Sequence, residues 1–261
     1  MDPHPKRGRI SIIVPVRNDA PALARTLDAL LAGPAVARSS AADVEVIVAA
    51  AGDRPGTERA VAGRARLLWP EGSTRAALMN AGAAAGSGDV LFFVHADSTP
   101  PLEALELIRR VLADPRVVGG AFEHLFAEPV WSLRAITGIN RIRYRLTRNY
   151  YGDQGIFVRA DVFRALGGYR ALAIMEDLDF SQRLKRAGRS VLIRVPLLTS
   201  GRRFLARGPW RTFFLIVWLL LLHTLRFDTQ RYAERWRGPA ELPPGSPWPR
   251  GRVVRRQRAA S

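Results

Sequence analysis

The segment Ile10-Ser-Ile-Ile-Val-Pro-Val16 decides the fold, because such a β-branched run predicts a buried strand. Arg17-Asn-Asp-Ala-Pro21 follows as a loop and leads into an Ala/Leu-rich segment with helical spacing. Further apolar strands, separated by helical segments, are predicted at residues 44–49, 67–69 and 89–94. Strands that alternate with helices predict an α/β fold: a Rossmann-like, mostly parallel sheet with helices on both faces.

In the first half, helices are predicted at residues 57–66 and 74–85. The second half has a less regular pattern. Helices are predicted there at 102–112, 130–148, 160–166, 175–187 and 208–237, and strands at 117–125, 154–158 and 191–195. The predicted organisation is an N-terminal tail (1–8), a main domain (9–204) with halves at 9–99 and 100–204, a C-terminal hydrophobic helix (205–237) and a disordered basic tail (238–261).

Composition sets further limits on function. The chain has 261 residues and no cysteine, which excludes disulfide frameworks, thiolate metal sites and thiol nucleophiles. Its formal net charge is +17, and the segment from Gly201 onward holds thirteen arginines and three acids. This charge favours an anionic partner. No apolar leader follows the first residues, which predicts a cytoplasmic chain without a cleaved signal peptide.

The longest apolar run, Phe213–Leu222, is too short to span a membrane. Its ten residues make about 15 Å of helix, against roughly 30 Å for a bilayer core. Flanking arginines at 207, 211 and 226 are typical of a helix that lies in a membrane interface. Two interpretations stay open: peripheral contact with the anionic inner face of the cell membrane, and a helix that covers the sheet. Because no RNA- or DNA-reading motif is present, no nucleic-acid partner is expected.

His95-Ala-Asp97 directly follows the predicted strand at 89–94. Ligands of an open parallel α/β sheet bind outside the carboxyl ends of its strands, so Asp97 lies where a site is expected. A carboxylate there can hold a divalent cation whose other ligands are diphosphate oxygens. The alternative is that Asp97 or Ser98 caps the helix that follows Pro100.

Glu176-Asp-Leu-Asp179 places three carboxylates at the start of a predicted helix. Neighbouring acids repel one another, which favours the proton uptake that a general base performs. The alternative is structural, since acids are favourable at any helix N-terminus.

A third group of candidate residues lies around the first strand and a later helix. Its members are Pro15, Val16, Arg17, Asn18, Arg75 and Asn80. Backbone groups after a first strand and an asparagine can hold a nucleotide, and an arginine can contact phosphate. The alternative is that Asn18 or Asp19 caps a helix and that Asn80 is an ordinary polar position.

In this order, these segments resemble family 2 glycosyltransferases of the GT-A fold, over about residues 9–201. The resemblance is carried by SIIVPVRN (11–18), MNAGA (79–83), GSGDVLFFVHAD (86–97), QGIFVR (154–159), LGGY (166–169) and MEDLDFSQRLKRAG (175–188). More narrowly, His-Ala-Asp in place of the usual Asp-x-Asp, together with Thr199-Ser-Gly-Arg-Arg203, resembles a bacterial subgroup connected with arsenosugar or diaponeurosporenoate-type glycosylation.

The resemblance implies inverting transfer of a sugar from a nucleoside-diphosphate sugar to a hydroxyl acceptor, which can be lipidic. It implies Mn²⁺ or Mg²⁺ at the diphosphate with Asp97 as the metal-binding acid, and Asp177 as the catalytic base with Glu176 beside it. Residues 9–99 would bind the donor and 100–204 the acceptor. The implied donor-binding residues are Pro15, Val16, Arg17, Asn18, Asp53, Arg75, Asn80, His95, Ala96, Asp97, Arg202 and Arg203, and the acceptor-side residues are Asp153 and Gln154.

Two departures from the family pattern affect the donor. Ala50 stands where the family usually has an aspartate for the nucleobase, with Asp53 three residues later, and His95 replaces the first acid of Asp-x-Asp. Imidazole suits Mn²⁺ better than Mg²⁺. Two other functions stay open: an inactive basic protein that binds anionic lipid or nucleic acid, and a sugar nucleotidyltransferase. The acids at Asp97 and Asp177 favour the transferase, and no Gly-rich phosphate loop follows the first strand.

Overall fold

The computed structural model describes residues 8–32, 43–225, 227–229 and 232. Its first half alternates strands and helices as the apolar pattern requires. The elements are β1 (Ile10–Arg17), α1 (Ala20–Leu31), β2 (Val44–Ala51), α2 (Arg54–Val61), β3 (Arg66–Leu68), α3 (Arg75–Ala85) and β4 (Val90–Phe93). The four strands lie parallel in the order β3-β2-β1-β4.

The second half extends the same sheet to eight strands, in the order β4-β7-β6-β8-β5. Strand β7 is antiparallel to both neighbours, β6 and β8 are parallel, and β5 is antiparallel to β8. The elements are β5 (Ser98–Thr99), α4 (Ala104–Leu112), β6 (Val117–Phe126), α5 (Trp131–Thr147), a 3₁₀ turn (Gly152–Gln154), β7 (Phe157–Arg159), α6 (Ala160–Ala165), α7 (Glu176–Ala187), β8 (Arg189–Thr199), α8 (Arg202–Arg207) and α9 (Pro209–Thr224).

The core lies on both faces of the sheet. Successive side chains of a strand point to opposite faces, so in β1 Ile12 packs on one side and Ile13 on the other. Helices α1, α2 and α4 bury their apolar residues on the Ile12 side, and α3, α6 and α7 do so on the Ile13 side. A strand buried on both faces is continuously apolar, which explains the uninterrupted runs in the sequence.

The structure confirms the predicted α/β fold with helices on both faces, and it corrects several details. Four of the seven strand pairings in the described residues are parallel. The helix expected at 57–66 begins at Arg54, because Asp53 caps it and proline occupies its first turn. Strand β7 begins at Phe157, after the 3₁₀ turn. The helix expected over 208–237 ends at Thr224.

Some predicted segments lie outside the described residues. They are most of the N-terminal tail (1–7), the C-terminal continuation of the hydrophobic helix at 226, 230–231 and 233–237, and the basic tail (238–261).

Gly120→Ala is expected to lower the free energy of unfolding by about 3 kcal/mol. Gly120 lies in β6, between β7 and β8, where a Cβ would overlap the carbonyl oxygen of Val191 and lie 2.8 Å from Cζ of Phe157. Gly138→Ala, on α5 with no heavy atom within 4 Å of the added Cβ, is the control and should stabilise by about 0.5–1 kcal/mol. Urea unfolding measures both. Equal midpoints for Gly120→Ala and the wild type would contradict the pairing of β6.

Candidate active site

Asn18 ties the loop after β1 to the loop after β2. Its backbone is left-handed (φ 52°), and its Oδ1 accepts a hydrogen bond from the backbone N–H of Asp53 at 2.8 Å. The Asp53 carboxylate in turn accepts from Gly56 N at 3.0 Å and caps α2. Asp19 stands at the N-cap position of α1 but makes no side-chain cap hydrogen bond. The capping alternative for these two residues is therefore wrong, and both loops are held at the carboxyl edge of the sheet.

Asp97 lies beyond β4 in a segment that is held from two sides. Thr26 Oγ1 donates to the carbonyl of Ala96 at 2.6 Å, and the N–H of Ser200 donates to the carbonyl of Asp97 at 3.1 Å. Burial raises the pKa of Asp97, and the Arg203 guanidinium acts in the opposite direction. Helix α4 begins only at Ala104 with Glu103 at its N-cap position, so the capping alternative for Asp97 is also wrong.

Two arginines of α8, Arg202 and Arg203, act on the Asp97 carboxylate. Arg202 Nη1 donates to Asp19 Oδ1 at 3.1 Å, while its Nη2 contacts Asp19 Oδ2 and lies 3.9 Å from Asp97 Oδ2. Burial lowers the pKa of Arg203, and Asp97 acts in the opposite direction. These cations make this part of the site suitable for a polyanion such as a diphosphate.

Glu176 and Asp177 begin α7 and are almost fully buried. Arg75 Nε donates to Glu176 Oε1, and Arg75 Nη2 lies 3.7 Å from Asp177 Oδ2. Although burial opposes them, these two carboxylates raise the pKa of Arg75 above its usual range. The N–H of Gly152 donates to Asp177 Oδ2 at 2.8 Å. Asp177 is therefore held by a cation, a backbone amide and a helix N-terminus.

The third acid of this group, Asp179, points away from the site. Its oxygens bind Arg170 Nη1 at 3.0 Å and Arg183 Nε at 2.8 Å. Because arginines neutralise all three acids, the mutual repulsion expected from the sequence is offset.

The 3₁₀ turn brings His95 next to Asp177. A Cβ at Gly152 would overlap Nε2 of His95 and lie 3.4 Å from Asp177 Oδ2, so only glycine fits between them. Burial lowers the pKa of His95 well below its usual range, with Arg75 and Arg203 acting in the same direction. Its Nε2 is buried and has no hydrogen-bond partner among the described residues. The ring is therefore neutral at pH 7 and keeps an unused polar atom at the site.

His124 of β6 and Asp153 of the 3₁₀ turn form a second pair with buried polar atoms that lack hydrogen-bond partners among the described residues. His124 Nε2 lies 3.6 Å from Asp153 Oδ2, and Asp153 Oδ1 is buried without a partner in the described part of the chain. Burial lowers the pKa of His124, and Asp153 acts in the opposite direction. The sequence analysis missed His124, because a single histidine in an apolar strand carries no motif. It likewise missed Gly152 and the pairing of Asp19 with Arg202.

Other predicted residues hydrogen-bond to the backbone of neighbouring segments. Asn80 donates to the carbonyl of Tyr169 at 2.8 Å and accepts from its N–H at 2.9 Å. Gln154 accepts from Tyr151 N at 3.0 Å and donates to the Phe122 carbonyl at 3.1 Å. Their ligand-binding roles stay predictions. The predicted residues Pro15, Val16 and Ala96 are buried, whereas Arg17 is exposed.

Comparison with known proteins identifies the family. Residues 11–167 match the family described as Glycosyl transferase family 2. The chain belongs to this family. No curated protein matches it significantly. Among solved structures, the mannosyltransferase PcManGT from Pyrobaculum calidifontis, in complex with GDP-Man and Mn²⁺, aligns at a TM-score of 0.59 and 19% identity, covering 91% of this chain and 67% of that one.

Membership of glycosyl transferase family 2 confirms the glycosyltransferase expected from the motifs, and the likeness to PcManGT supports the GT-A fold. The narrower resemblance to the subgroup with His-Ala-Asp stays a prediction. So do the domain boundaries and the individual site roles.

The side chains around Asp97 suit only one kind of metal site. No group of three or more His, Asp or Glu side chains that could hold a metal ion occurs in the described ranges. Mg²⁺ is commonly bound by one or two carboxylates together with substrate phosphates and water. Asp97, which lies near arginines and is influenced by Asp153, therefore fits a cation shared with a diphosphate and does not fit a cation held by protein ligands alone.

Proposed function

We propose that the protein is an inverting glycosyltransferase that moves a sugar from a nucleoside-diphosphate sugar to a hydroxyl acceptor. The observation that carries the proposal is that Arg75 acts on two carboxylates, Asp97 and Asp177, which lie in different surroundings. Arg75 lies 3.7 Å from Asp177 and also acts on the pKa of Asp97. One acid lies beside the cations of α8, and the other lies at the start of α7.

The Asp97 side of the site binds the diphosphate. Arg202 and Arg203 contact its oxygens and stabilise the negative charge that develops as it leaves. Asp97 holds Mn²⁺ or Mg²⁺, which supplies further charge neutralisation at the diphosphate when bound. Asn18 keeps the loop after β1 in place, so that its backbone can contact the nucleoside.

Asp177 is the general base. Its carboxylate takes the proton of the acceptor hydroxyl while that oxygen bonds to the anomeric carbon. The bond from this carbon to the diphosphate breaks at the same time, and the electron pair leaves with the diphosphate. Attack from the face opposite the leaving group inverts the configuration. Gly152 N–H and Arg75 orient the carboxylate, and Glu176 anchors Arg75.

Asp153 and His124 serve the acceptor. Their buried polar atoms, which have no hydrogen-bond partner within the described ranges, can accept from and donate to a hydroxyl group. Such a contact satisfies polar atoms that are otherwise costly to bury. This supports an acceptor that brings hydroxyl groups to the 3₁₀ turn. The nucleobase is a separate question, because Ala50 and Ala51 supply no acid at the end of β2.

A donor panel tests the proposal. Binding of UDP-glucose, UDP-galactose, GDP-mannose and their nucleoside monophosphates is measured by calorimetry with Mn²⁺, with Mg²⁺ or with EDTA, followed by an assay for donor hydrolysis. We expect at least one diphosphate sugar to bind and to be hydrolysed slowly, with binding weakened at least tenfold by EDTA and with no comparable binding of monophosphates. Failure of every donor under every metal condition would contradict the proposal and favour an inactive basic binding protein.

A further inference from the structure

Helix α5 exposes an apolar stripe to solvent. Its buried side is formed by residues such as Leu133 and Ile136, yet large apolar side chains also face outward, with Trp131 72% exposed and Leu146 79% exposed. The full stripe is Trp131, Ile139, Ile142 and Leu146. At 100° per residue, these four positions fall within about 80° of one another on the helix. A surface helix of a monomer ordinarily places polar residues there.

Helix α9 repeats this feature. Thr212 and Leu219 are its buried residues, and the opposite side carries a second apolar stripe. The exposed members of this stripe are Phe214, Val217, Trp218 and Leu221, and they are followed along the chain by the exposed residues Leu225 and Phe227.

Aromatic contacts join the two stripes into one surface. The ring of Trp131 lies 6.1 Å from that of Trp210 between centroids, and Trp210 lies 6.3 Å from Phe214. We define the α5–α9 surface as the two stripes together. A patch of this kind marks an interaction site more often than a group of isolated apolar residues does.

The charges around the α5–α9 surface are mostly positive. The sequence contains no acid in residues 129–152 or 202–227. Arg134, Arg141 and Arg145 run beside the apolar stripe of α5, on the same helix face by their spacing, and Arg141 and Arg145 share Glu123 as a partner. Exposed Arg211 lies beside Trp210 at the start of α9. The apolar surface therefore has a basic rim.

We propose that the α5–α9 surface binds the headgroup region of an anionic phospholipid bilayer. Apolar stripes with tryptophan and flanking arginine suit a bilayer interface, where the rings bury their apolar part and the guanidinium groups reach phosphate. A second copy of the chain would bring the same acid-free helices and another +17 charge against this surface, so like charges would oppose a dimer.

The predicted binding is peripheral. No helix in the described part of the chain is long and apolar enough to cross a membrane. Helix α9 has 16 residues, about 24 Å against a bilayer core of roughly 30 Å. Binding through the α5–α9 surface goes beyond the proposed function and does not depend on it.

Vesicle sedimentation tests the proposal with the full chain. The probes are vesicles of phosphatidylcholine alone and vesicles with about one third phosphatidylglycerol. The double variant Ile142→Glu/Phe214→Glu places acids on both stripes at exposed positions, and Leu102→Glu is the matched control at an exposed leucine outside the surface. We expect the wild type to bind the anionic vesicles at least tenfold more tightly than the neutral ones. The double variant should lose at least tenfold in affinity, and the control should not.

Several results would overturn the proposal. They are no binding to anionic vesicles, equal binding by the double variant, a dimer in light scattering that only the double variant dissociates, or nucleic-acid binding that only the double variant loses. Unfolding midpoints in urea show whether each variant is folded. The donor panel is run without lipid, so a failure of the proposed function and a failure of vesicle binding are distinguishable.

Discussion

Asp177→Asn is expected to abolish sugar transfer, with a rate loss of about 10³-fold, while donor binding stays within a few-fold of the wild type. An asparagine can still accept the hydrogen bond from Gly152 N–H through its Oδ1, so the 3₁₀ turn keeps its position. It cannot take a proton from the acceptor. Donor binding by calorimetry and turnover by released nucleoside diphosphate separate the two effects.

Asp179→Asn is the matched control for this prediction. Asp179 lies on the same first turn of α7, but it binds Arg170 and Arg183 on the side away from the site. Its removal should lower stability slightly and leave turnover within a few-fold of the wild type. Wild-type turnover by Asp177→Asn would exclude Asp177 as the base, and equal losses in both variants would indicate a structural effect on α7.

Asp97→Asn is expected to weaken donor binding in Mn²⁺ by about 10²-fold, which corresponds to ~2.7 kcal/mol. The amide is a poorer ligand for a divalent cation than the carboxylate, and it carries no charge. EDTA should then have little further effect on the variant. Calorimetry with one donor, in Mn²⁺ and in EDTA, measures this.

The thermal stability of Asp97→Asn shows whether weaker donor binding comes from the loss of a metal ligand or from a damaged fold. Burial raises the pKa of Asp97, so folding disfavours its ionised form, and a neutral side chain of the same size removes that penalty at pH 7. The thermal midpoint of Asp97→Asn should therefore equal or exceed that of the wild type. Asp161→Asn, at an exposed aspartate of α6, is the control and should leave donor binding unchanged. Unchanged donor affinity and EDTA sensitivity in Asp97→Asn would exclude Asp97 as the metal-binding acid.

Most of the sheet could be predicted because its strands are buried on both faces and therefore leave long apolar runs. Strand β5 could not, since two residues carry no periodicity and Ser98 becomes a strand only by pairing with Thr199. The strand predicted to start at Gln154 starts only at Phe157, and Gln154 ends the 3₁₀ turn instead. The geometry of this turn depends on contacts with Asp177 and Phe122, which lie far away in the sequence.

In the candidate site too, features set by the local sequence could be predicted, and contacts between distant segments could not. Asp97 and Asp177 could be located because one follows a buried strand and the other begins a helix, and both positions are visible in the sequence. The spatial neighbours of His95, His124 and Asp153 could not be predicted, because each contact joins separate elements. The contacts of Asn80 could not be predicted either: both its polar groups bind the backbone of Tyr169, while its donor-binding role stays a prediction.

The pairing of β5 with β8 has a consequence for how the protein is made. The Ser98 and Thr199 side chains that join the two strands are 101 residues apart. A ribosome adding roughly 5–20 residues per second needs about 5–20 s to cover that distance. Throughout this interval the segment that carries Asp97 has been synthesised but lacks the strand that later holds it. The segment with Asp97, the proposed metal-binding acid, is therefore among the last parts of the domain to be fixed, and a nascent chain that stops before β8 lacks the strand that holds this segment.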